Sequence, residues 1–362
     1  MKILIIGGTN FIGPPLVHQL VAMGHEVSIF HRGTTTATLP RDVHEILGDR
    51  SHLWEMRSQF QQLSPQVVID MIAYTEQDAL TLMNTFEGIA ERVVVISSMD
   101  VYRAYDVLWG KESDVVPVPL TEDSSLRQQL CPYREMPSRP LNVPVDYEKI
   151  LVERIVMGCD LPGTILRLPM VYGSRDVLHR LYSYLQRMDD NRPAIVLSES
   201  IARWRGSYGY VENIAYAIAL ATTNENAADR IYHVAEVKVL TEAERITKIG
   251  EIVGWQGKVF VVPNSQLPQD WKLPLNLEQD WIVDSTRIRK ELGYEEILPL
   301  DEALRRTIAW QKTHPPQEPQ QFAMPWLLDY PTEDLILAGF KSNIESQHQD
   351  SAVESHPQKS AS

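Results

Sequence analysis

The sequence predicts an α/β protein, a Rossmann-type doubly wound parallel sheet with a smaller mixed α/β substrate-binding region. Three observations predict it. Short runs of Val, Ile and Leu without polar alternation recur through the first 170 residues, as strands buried on both faces require. Longer amphipathic stretches separate those runs, which is the alternation of a sheet covered by helices. A glycine turn at Gly7-Gly8 follows the first run directly and opens the first helical stretch, the position at which a dinucleotide-binding unit needs one.

In order, Lys2–Ile6 reads as a buried strand and Phe11–Met23 as a helix. Glu26–Phe30, His44–Leu47, Gln66–Asp70 and Arg92–Ile96 read as further strands, with helical patterns around Leu53–Leu63 and Gln77–Glu87. Residues 103–145 hold many prolines and little periodicity, the pattern of a long ordered loop. Asp146–Met157 reads as a helix and Thr164–Leu168 as a strand. Beyond them come a helix near 176–188, a strand at Ala194–Leu197, a helix at Glu212–Thr222 and a strand at Ile231–Val234, then helices near 241–253, 284–292 and 300–313. Residues 1–170 plus 206–236 are thus expected to form the NAD(P)-binding domain, and 171–205 plus 237–313 the substrate-binding region. Residues 314–341 are expected as an extension packed on the body. Residues 342–362, almost without large apolar side chains, are expected as a disordered tail.

Composition narrows the function. The 362 residues are 44% hydrophobic and 23% charged, a globular balance. Lys plus Arg number 34 against 48 Asp plus Glu, a net charge of 34 − 48 = −14, which argues against a general nucleic-acid binder. Cys131 and Cys159 are the only cysteines, so there is no disulfide framework, and with the histidines scattered no metal site is expected. The apolar run Ile3–Ile6 is too short for a signal-peptide core or a membrane span. A cytoplasmic protein acting on a small molecule, without a membrane partner, is expected, and a homodimer is admitted.

The glycine turn reads Gly7-Gly8-Thr9-Asn10-Phe11-Ile12-Gly13. Glycine lets the backbone turn tightly and approach a pyrophosphate, whose charge is met by free N–H groups and the helix dipole. Gly7, Thr9, Asn10, Phe11, Ile12 and Gly13 are therefore candidate cofactor contacts. Pro14 and Pro15 fall in the first helical turn, where a missing N–H costs little. The second strand ends in Phe30-His31-Arg32-Gly33. An acidic residue there accepts from the ribose of NAD, whereas Arg meets the 2′-phosphate of NADP. His31 and Arg32 thus predict NADP, and NAD stays open should Arg32 only stack on the adenine.

These motifs resemble the extended, epimerase/dehydratase-like branch of the short-chain dehydrogenase/reductase superfamily, over roughly residues 1–313. Its Gly-x-x-Gly-x-x-Gly fingerprint is matched by Gly7 and Gly13, with Asn10, which tolerates positive φ, at the middle glycine. Ile96-Ser97-Ser98 leading into Val101-Tyr102, Leu166-Arg167-Leu168-Pro169 with Val171-Tyr172-Gly173, and Gly209-Tyr210-Val211-Glu212-Asn213 carry the rest. The resemblance implies Asp49 beside the adenine and Ser98 orienting the substrate hydroxyl or carbonyl. It implies Lys149 at the nicotinamide ribose, lowering the pKa of a proton-exchanging Tyr four residues earlier. Here Val145 stands in that place. On a helix from Asp146, Tyr147 lies about 200° from Lys149 and is expected to face elsewhere. Asp100, two after Ser98, where dehydratase relatives carry a catalytic carboxylate, is the preferred substitute, ahead of Tyr102, Tyr74 and Tyr133.

Arg203-Trp204-Arg205, before Tyr208 and Tyr210, falls near where sugar-nucleotide relatives bind a diphosphate, and Arg suits bidentate phosphate contact. Tyr102, Arg203 and Arg205 are the candidate substrate contacts, with Arg167 and Arg175 in reserve. The expected function is that of an NAD(P)-binding epimerase/dehydratase-like oxidoreductase or isomerase acting on a sugar nucleotide or similar hydroxylated small molecule, without the usual catalytic Tyr. The alternative is a non-redox NAD(P)-binding regulatory or RNA-binding protein, since chloroplast and cyanobacterial relatives with a similar turn are linked to RNA binding and cleavage.

Overall fold

Strand and helix alternate from the N-terminus as the patterning requires. The computed structural model describes residues 1–135, 143–316 and 328–339. It begins β1 (Lys2–Ile6), α1 (Gly13–Ala22), β2 (Glu26–His31), β3 (His44–Leu47), α2 (Arg57–Leu63), β4 (Val67–Asp70), α3 (Glu76–Phe86) and β5 (Arg92–Ser98). There follow α4 (Arg103–Leu108), α5 (Lys149–Met157), β6 (Gly163–Leu168), β7 (Met170–Tyr172), α6 (Tyr182–Asp189), β8 (Ala194–Ser198), α7 (Glu199–Arg203) and β9 (Tyr208–Tyr210). The last elements are α8 (Val211–Thr223), β10 (Arg230–His233), α9 (Glu242–Val253), β11 (Lys258–Val262), α10 (Thr286–Leu292) and α11 (Leu300–Thr313).

Seven strands form one sheet in the order β10-β6-β5-β4-β1-β2-β3, with every pairing parallel. Successive residues of β1 serve opposite cores, which is why the strand is apolar without alternation. Ile3 and Ile5 pack with Leu16, Val17 and Leu20 of α1 and Ile214 and Ile218 of α8. Leu4 and Ile6 pack with Phe60 of α2, Leu82 and Phe86 of α3 and Val152 and Val156 of α5. The chain runs outward from β1 to β3 and then returns to lay β4 on the other side of β1. That reversal opens a crevice beyond the carboxyl ends of β1 and β4, the place where such sheets bind ligands.

Two small parallel pairs, β11 with β8 and β7 with β9, lie outside the main sheet. The sequence reading assigned neither three-residue strand of the second pair, which is too short to show a period, and it passed over the apolar run of β11. It placed a single loop over 103–145; α4 interrupts that stretch, and residues 136–142 lie outside the described residues. Several helices start later than read: α1 at Gly13, α5 at Lys149 and α6 at Tyr182. Of the expected extension, residues 330–339 are helical, and Ile336 and Leu337 pack on Val196, Val262 and Trp271. The expected disordered tail at 342–362 lies outside the described residues. Among the described residues no helix is long and apolar enough to cross a membrane.

Candidate active site

The glycine turn sits at the mouth of the crevice. Gly7 and Gly8 take φ of 94° and 92°, which side chains rarely adopt. A Cβ on Gly13 would lie 2.3 Å from the carbonyl carbon of Gly8, so α1 starts directly on the turn. No side chain caps that helix, but its first turn offers few free donors, since the Gly13 N–H donates to the Asn10 carbonyl at 2.8 Å and the Leu16 N–H to the Ile12 carbonyl at 3.2 Å. Pro14 and Pro15, both in the first turn, lack N–H groups that no helical carbonyl would have met. The positive φ expected at Asn10 belongs instead to Phe11, at 41°. Asn10 Oδ1 accepts the Phe11 N–H at 3.0 Å, so its side chain braces the turn and the next residue takes the strained backbone. Thr9 is buried, Asn10 exposed, and Phe11 and Ile12 are half-buried.

At the end of β2, His31 is fixed between Glu45 (Nε2 to Oε2, 2.9 Å) and the Gly33 N–H (3.2 Å to Nδ1). Arg32 is exposed. Asp49 caps a short 3-10 turn by accepting from the Ser51 N–H and hydroxyl at 2.9 and 2.7 Å. The Ser51 backbone bond, then the Ser51 hydroxyl, and further off the charge of Arg32, hold its carboxyl below the usual range.

The second half of the site gathers where β4 and β5 end. Lys149, 3% exposed, donates from Nζ to the carbonyls of Ala73 (2.6 Å) and Ile96 (2.7 Å). Its ammonium lies 4.9 Å from the Tyr74 ring centre. Burial pulls its pKa down to about 8, against the pull of Asp70 and Asp100. Ser98 is half-buried, and its Oγ accepts the Asp100 N–H at 3.1 Å. Asp100 is 2% exposed; Oδ2 accepts from the phenols of Tyr147 at 2.9 Å and Tyr133 at 3.0 Å. Its Oδ1 is buried without a partner. Burial pushes this carboxyl upward, opposed by Arg127, whose Nε bonds the Asp100 carbonyl at 2.5 Å.

Tyr147 corrects the sequence reading. The helical angle between Tyr147 and Lys149 assumed a helix from Asp146, but Glu148 is the N-cap, with φ −159° and a carboxylate accepting from the Ile150 N–H. Tyr147 therefore sits in a turn ahead of the helix, its N–H closing on the Pro144 carbonyl at 3.2 Å. From there its ring approaches the Lys149 ammonium to 5.8 Å, and its phenol donates to Asp100 Oδ2. The sequence carries no clear signal of this, because Pro144 restrains only the residue before it and is compatible with a helix from Asp146. Val145, half exposed, points out of the cluster.

The expected substrate contacts fare differently. Tyr102 is fully buried, its phenol bonded to His233 Nε2 and to Arg167 Nη1, each at 2.5 Å. Arg167 is ion-paired with Glu153 at 2.6 Å. Both residues belong to the core rather than to a ligand wall, because apolar Val101 and Ile150 neighbours draw the 99–102 turn inward. Arg203 pairs with Glu278, and Arg205 holds Asp280 through Nε and Nη2 at 2.9 and 2.6 Å. Trp204 donates to the Gln279 carbonyl at 3.0 Å. The Arg-Trp-Arg motif thus fastens residues 276–281, and its charges are already met by carboxylates. Arg175 bonds the Thr36 carbonyl at 3.0 Å. Among the described residues no group of side chains is placed to hold a metal ion.

The fold recurs in known proteins. The chain is 21% identical over 336 residues to a 2′-dehydrokanamycin reductase of Streptomyces kanamyceticus, covering 91% of this chain and 85% of that protein. It is 24% identical over 280 residues, 72% of this chain and 67% of the other, to the chloroplast stem-loop binding protein of 41 kDa b of Arabidopsis thaliana. A dTDP-glucose 4,6-dehydratase of Bacillus anthracis, solved in complex with NAD, shares the fold with a TM-score of 0.63 at 16% identity, over 87% of this chain and 97% of that one. The family model for the NAD dependent epimerase/dehydratase family matches residues 3–235. That match runs from the first strand of the parallel sheet through its last, with the glycine turn, Ser98 and Lys149 inside it, and the chain belongs to the NAD dependent epimerase/dehydratase family.

Proposed function

We propose that this chain is an NAD(P)-dependent oxidoreductase or isomerase acting on a sugar nucleotide or a similar hydroxylated small molecule. The observation that carries the reading is Lys149, buried beside Ser98 and bridging the ends of β4 and β5 at the crevice. The residues present fit a dinucleotide. The positive φ of Gly7 and Gly8 lets the backbone turn tightly enough to approach a pyrophosphate at the start of α1. Gly13 allows the close approach of helix and turn. Gly7, Thr9, Asn10, Phe11, Ile12, Gly13, His31, Arg32 and Asp49 would line the cofactor side, and Ser98, Asp100 and Lys149 the chemical side. When bound, the dinucleotide supplies a hydride acceptor or donor. Ser98 would orient the reacting oxygen, and the Lys149 charge would ease proton loss from a neighbouring group.

The exposed Arg32 and the lack of an acidic side chain at the end of β2 favour NADP, whereas the dehydratase of Bacillus anthracis carries NAD. Residues 171–205 plus 237–313, which hold the small β8–β11 sheet, would form the substrate-binding region. The free Cys131 and Cys159 fit a reducing compartment, and a cytoplasmic location belongs to this reading. The likeness to the stem-loop binding protein favours an RNA-binding alternative, against which the net charge of −14 weighs.

The test is thermal unfolding with NADP(H) and NAD(H). We expect both to raise Tm, and NADP(H) to raise it more, since only ligands that bind the native state stabilise it. A larger shift with NAD(H) would overturn the role of Arg32, and no shift with either would overturn the cofactor reading.

A further inference from the structure

Removing a hydride from an alcohol carbon requires a base for the hydroxyl proton, and returning it requires an acid. Lys149 is occupied by two carbonyls, and Ser98 has no base of its own beyond what surrounds it. Three phenols stand nearby. Tyr74 lies against the Lys149 ammonium. Tyr133 and Tyr147 both donate to Asp100. Of the three, Tyr147 alone combines the bond to Asp100 with a ring 5.8 Å from the Lys149 ammonium.

We propose that Tyr147, presented by the turn ahead of α5, is the proton-exchanging phenol of this chain, and that Asp100 takes up and returns its proton. The proposal rests on the dinucleotide-dependent reading above and deepens it. In alcohol oxidation the substrate O–H bond breaks and its proton bonds to Tyr147 Oη. The Tyr147 O–H bond breaks at the same time, and its proton crosses the existing 2.9 Å hydrogen bond to Asp100 Oδ2. The substrate C–H bond breaks with its electron pair, which leaves as hydride to an oxidised nicotinamide dinucleotide, the co-reactant. The alcohol becomes a carbonyl, the nicotinamide is reduced and the carboxylate becomes a carboxylic acid. Carbonyl reduction is the reverse.

Asp100 is suited to store the proton. It is buried and Oδ1 has no partner, so burial raises the carboxylate's affinity for a proton. The groups facing it are Tyr133, Tyr147 and Tyr105 together with the cations Arg127 and Lys149. The cations keep the anion accessible. Tyr133 donates to the same oxygen and holds the carboxylate in place, which makes it a positioning residue.

The test uses the full chain labelled with 13C at the tyrosine Cζ. The Tyr147 resonance is the one missing from Tyr147→Phe, and oxidised and reduced NADP and NAD are the probes. The two redox forms of each probe differ by one positive charge on the ring, so a phenol at the reacting centre reports which is bound, and a remote structural phenol does not. We expect a Tyr147 resonance that differs between the oxidised and reduced complexes, and a smaller difference in Asp100→Asn. Val145→Ala, whose exposed side chain stands outside the cluster, should preserve the difference, and the wild-type comparison stands by itself if Asp100→Asn fails to fold. Dinucleotide binding is read separately as a thermal shift, expected to stay within about twofold in apparent affinity for Tyr147→Phe. A wild-type chain that binds a probe while its Tyr147 resonance does not distinguish the redox forms overturns this proposal alone. A chain with no thermal shift overturns the dinucleotide reading and this proposal with it.

Discussion

Lys149 holds an ammonium group out of water between two strand-end carbonyls, and the cost of that burial draws its pKa to about 8 from 10.5. The sign of the consequence follows from proton counts. Between those two values the unfolded chain binds more protons at this residue than the native one, so this side chain makes stability rise with pH across the window. Denaturant unfolding of the wild type and Lys149→Met at both ends of the window should show the wild type gaining on the variant as pH rises; an unchanging gap would contradict the buried ammonium. At this scale the sequence suggested Ser98, Asp100 and Lys149 by their spacing, and the structure places the three side chains close together. Tyr147 was not legible there, because its position depends on where α5 begins. Glu148 accepts the Ile150 N–H and ends the turn there, so the angular rule for helices does not reach two residues back. The same sensitivity moved the positive φ from Asn10 to Phe11. The roles of Tyr102, Arg203 and Arg205 depended on partners distant in sequence, His233, Glu278 and Asp280, which no local pattern contains.

Among the elements, α1 shows most directly how packing serves the site. Its first residue, Gly13, meets the backbone of Gly8 with no room for a Cβ. Gly13→Ala must push helix and turn apart. We expect it to cost about 1–3 kcal/mol of stability, the usual range for overpacking, and to weaken dinucleotide binding at least tenfold, both measurable by unfolding with and without NADP(H). Unaltered binding would show that the turn does not cradle the ligand. The strands of the main sheet were readable because burial on both faces leaves continuous apolar runs. Helix starts were read early because Phe11 and Ile12 continue the apolar pattern of α1 while lying in the turn before it.

Over the whole molecule, the C-terminal stretch is tied to the body by charge as much as by apolar contact. Glu333 is 1% exposed and reaches Arg187 Nε at 2.5 Å, with Arg192 at 3.5 Å, while Asp334 bonds Arg192 at 2.5 Å. Removing one partner of a buried pair leaves an uncompensated charge and costs about 3–5 kcal/mol. Glu333→Ala should therefore lower the unfolding midpoint markedly, and Glu333→Gln less, in a denaturant titration; a neutral Glu333→Ala would mean that the segment is held by its other contacts, Asp334 on Arg192 and Ile336 and Leu337 on the body. The sequence showed an apolar stretch able to pack back on the body. The acid that anchors it could not be told from its exposed neighbours, because charge pairing across 146 residues leaves no periodic trace.

The bridge that Lys149 makes between Ala73 and Ile96 also sets a rule of exchange at the crevice floor. An ammonium has three N–H bonds, and two are spent. A ligand presenting a single acceptor to this group adds a bond without loss, whereas one presenting two must displace a carbonyl and loosen the end of a strand. For a ligand that reached this ammonium, discrimination would be a matter of counting acceptors, and a second bond would weaken the tie between β5 and the segment after β4.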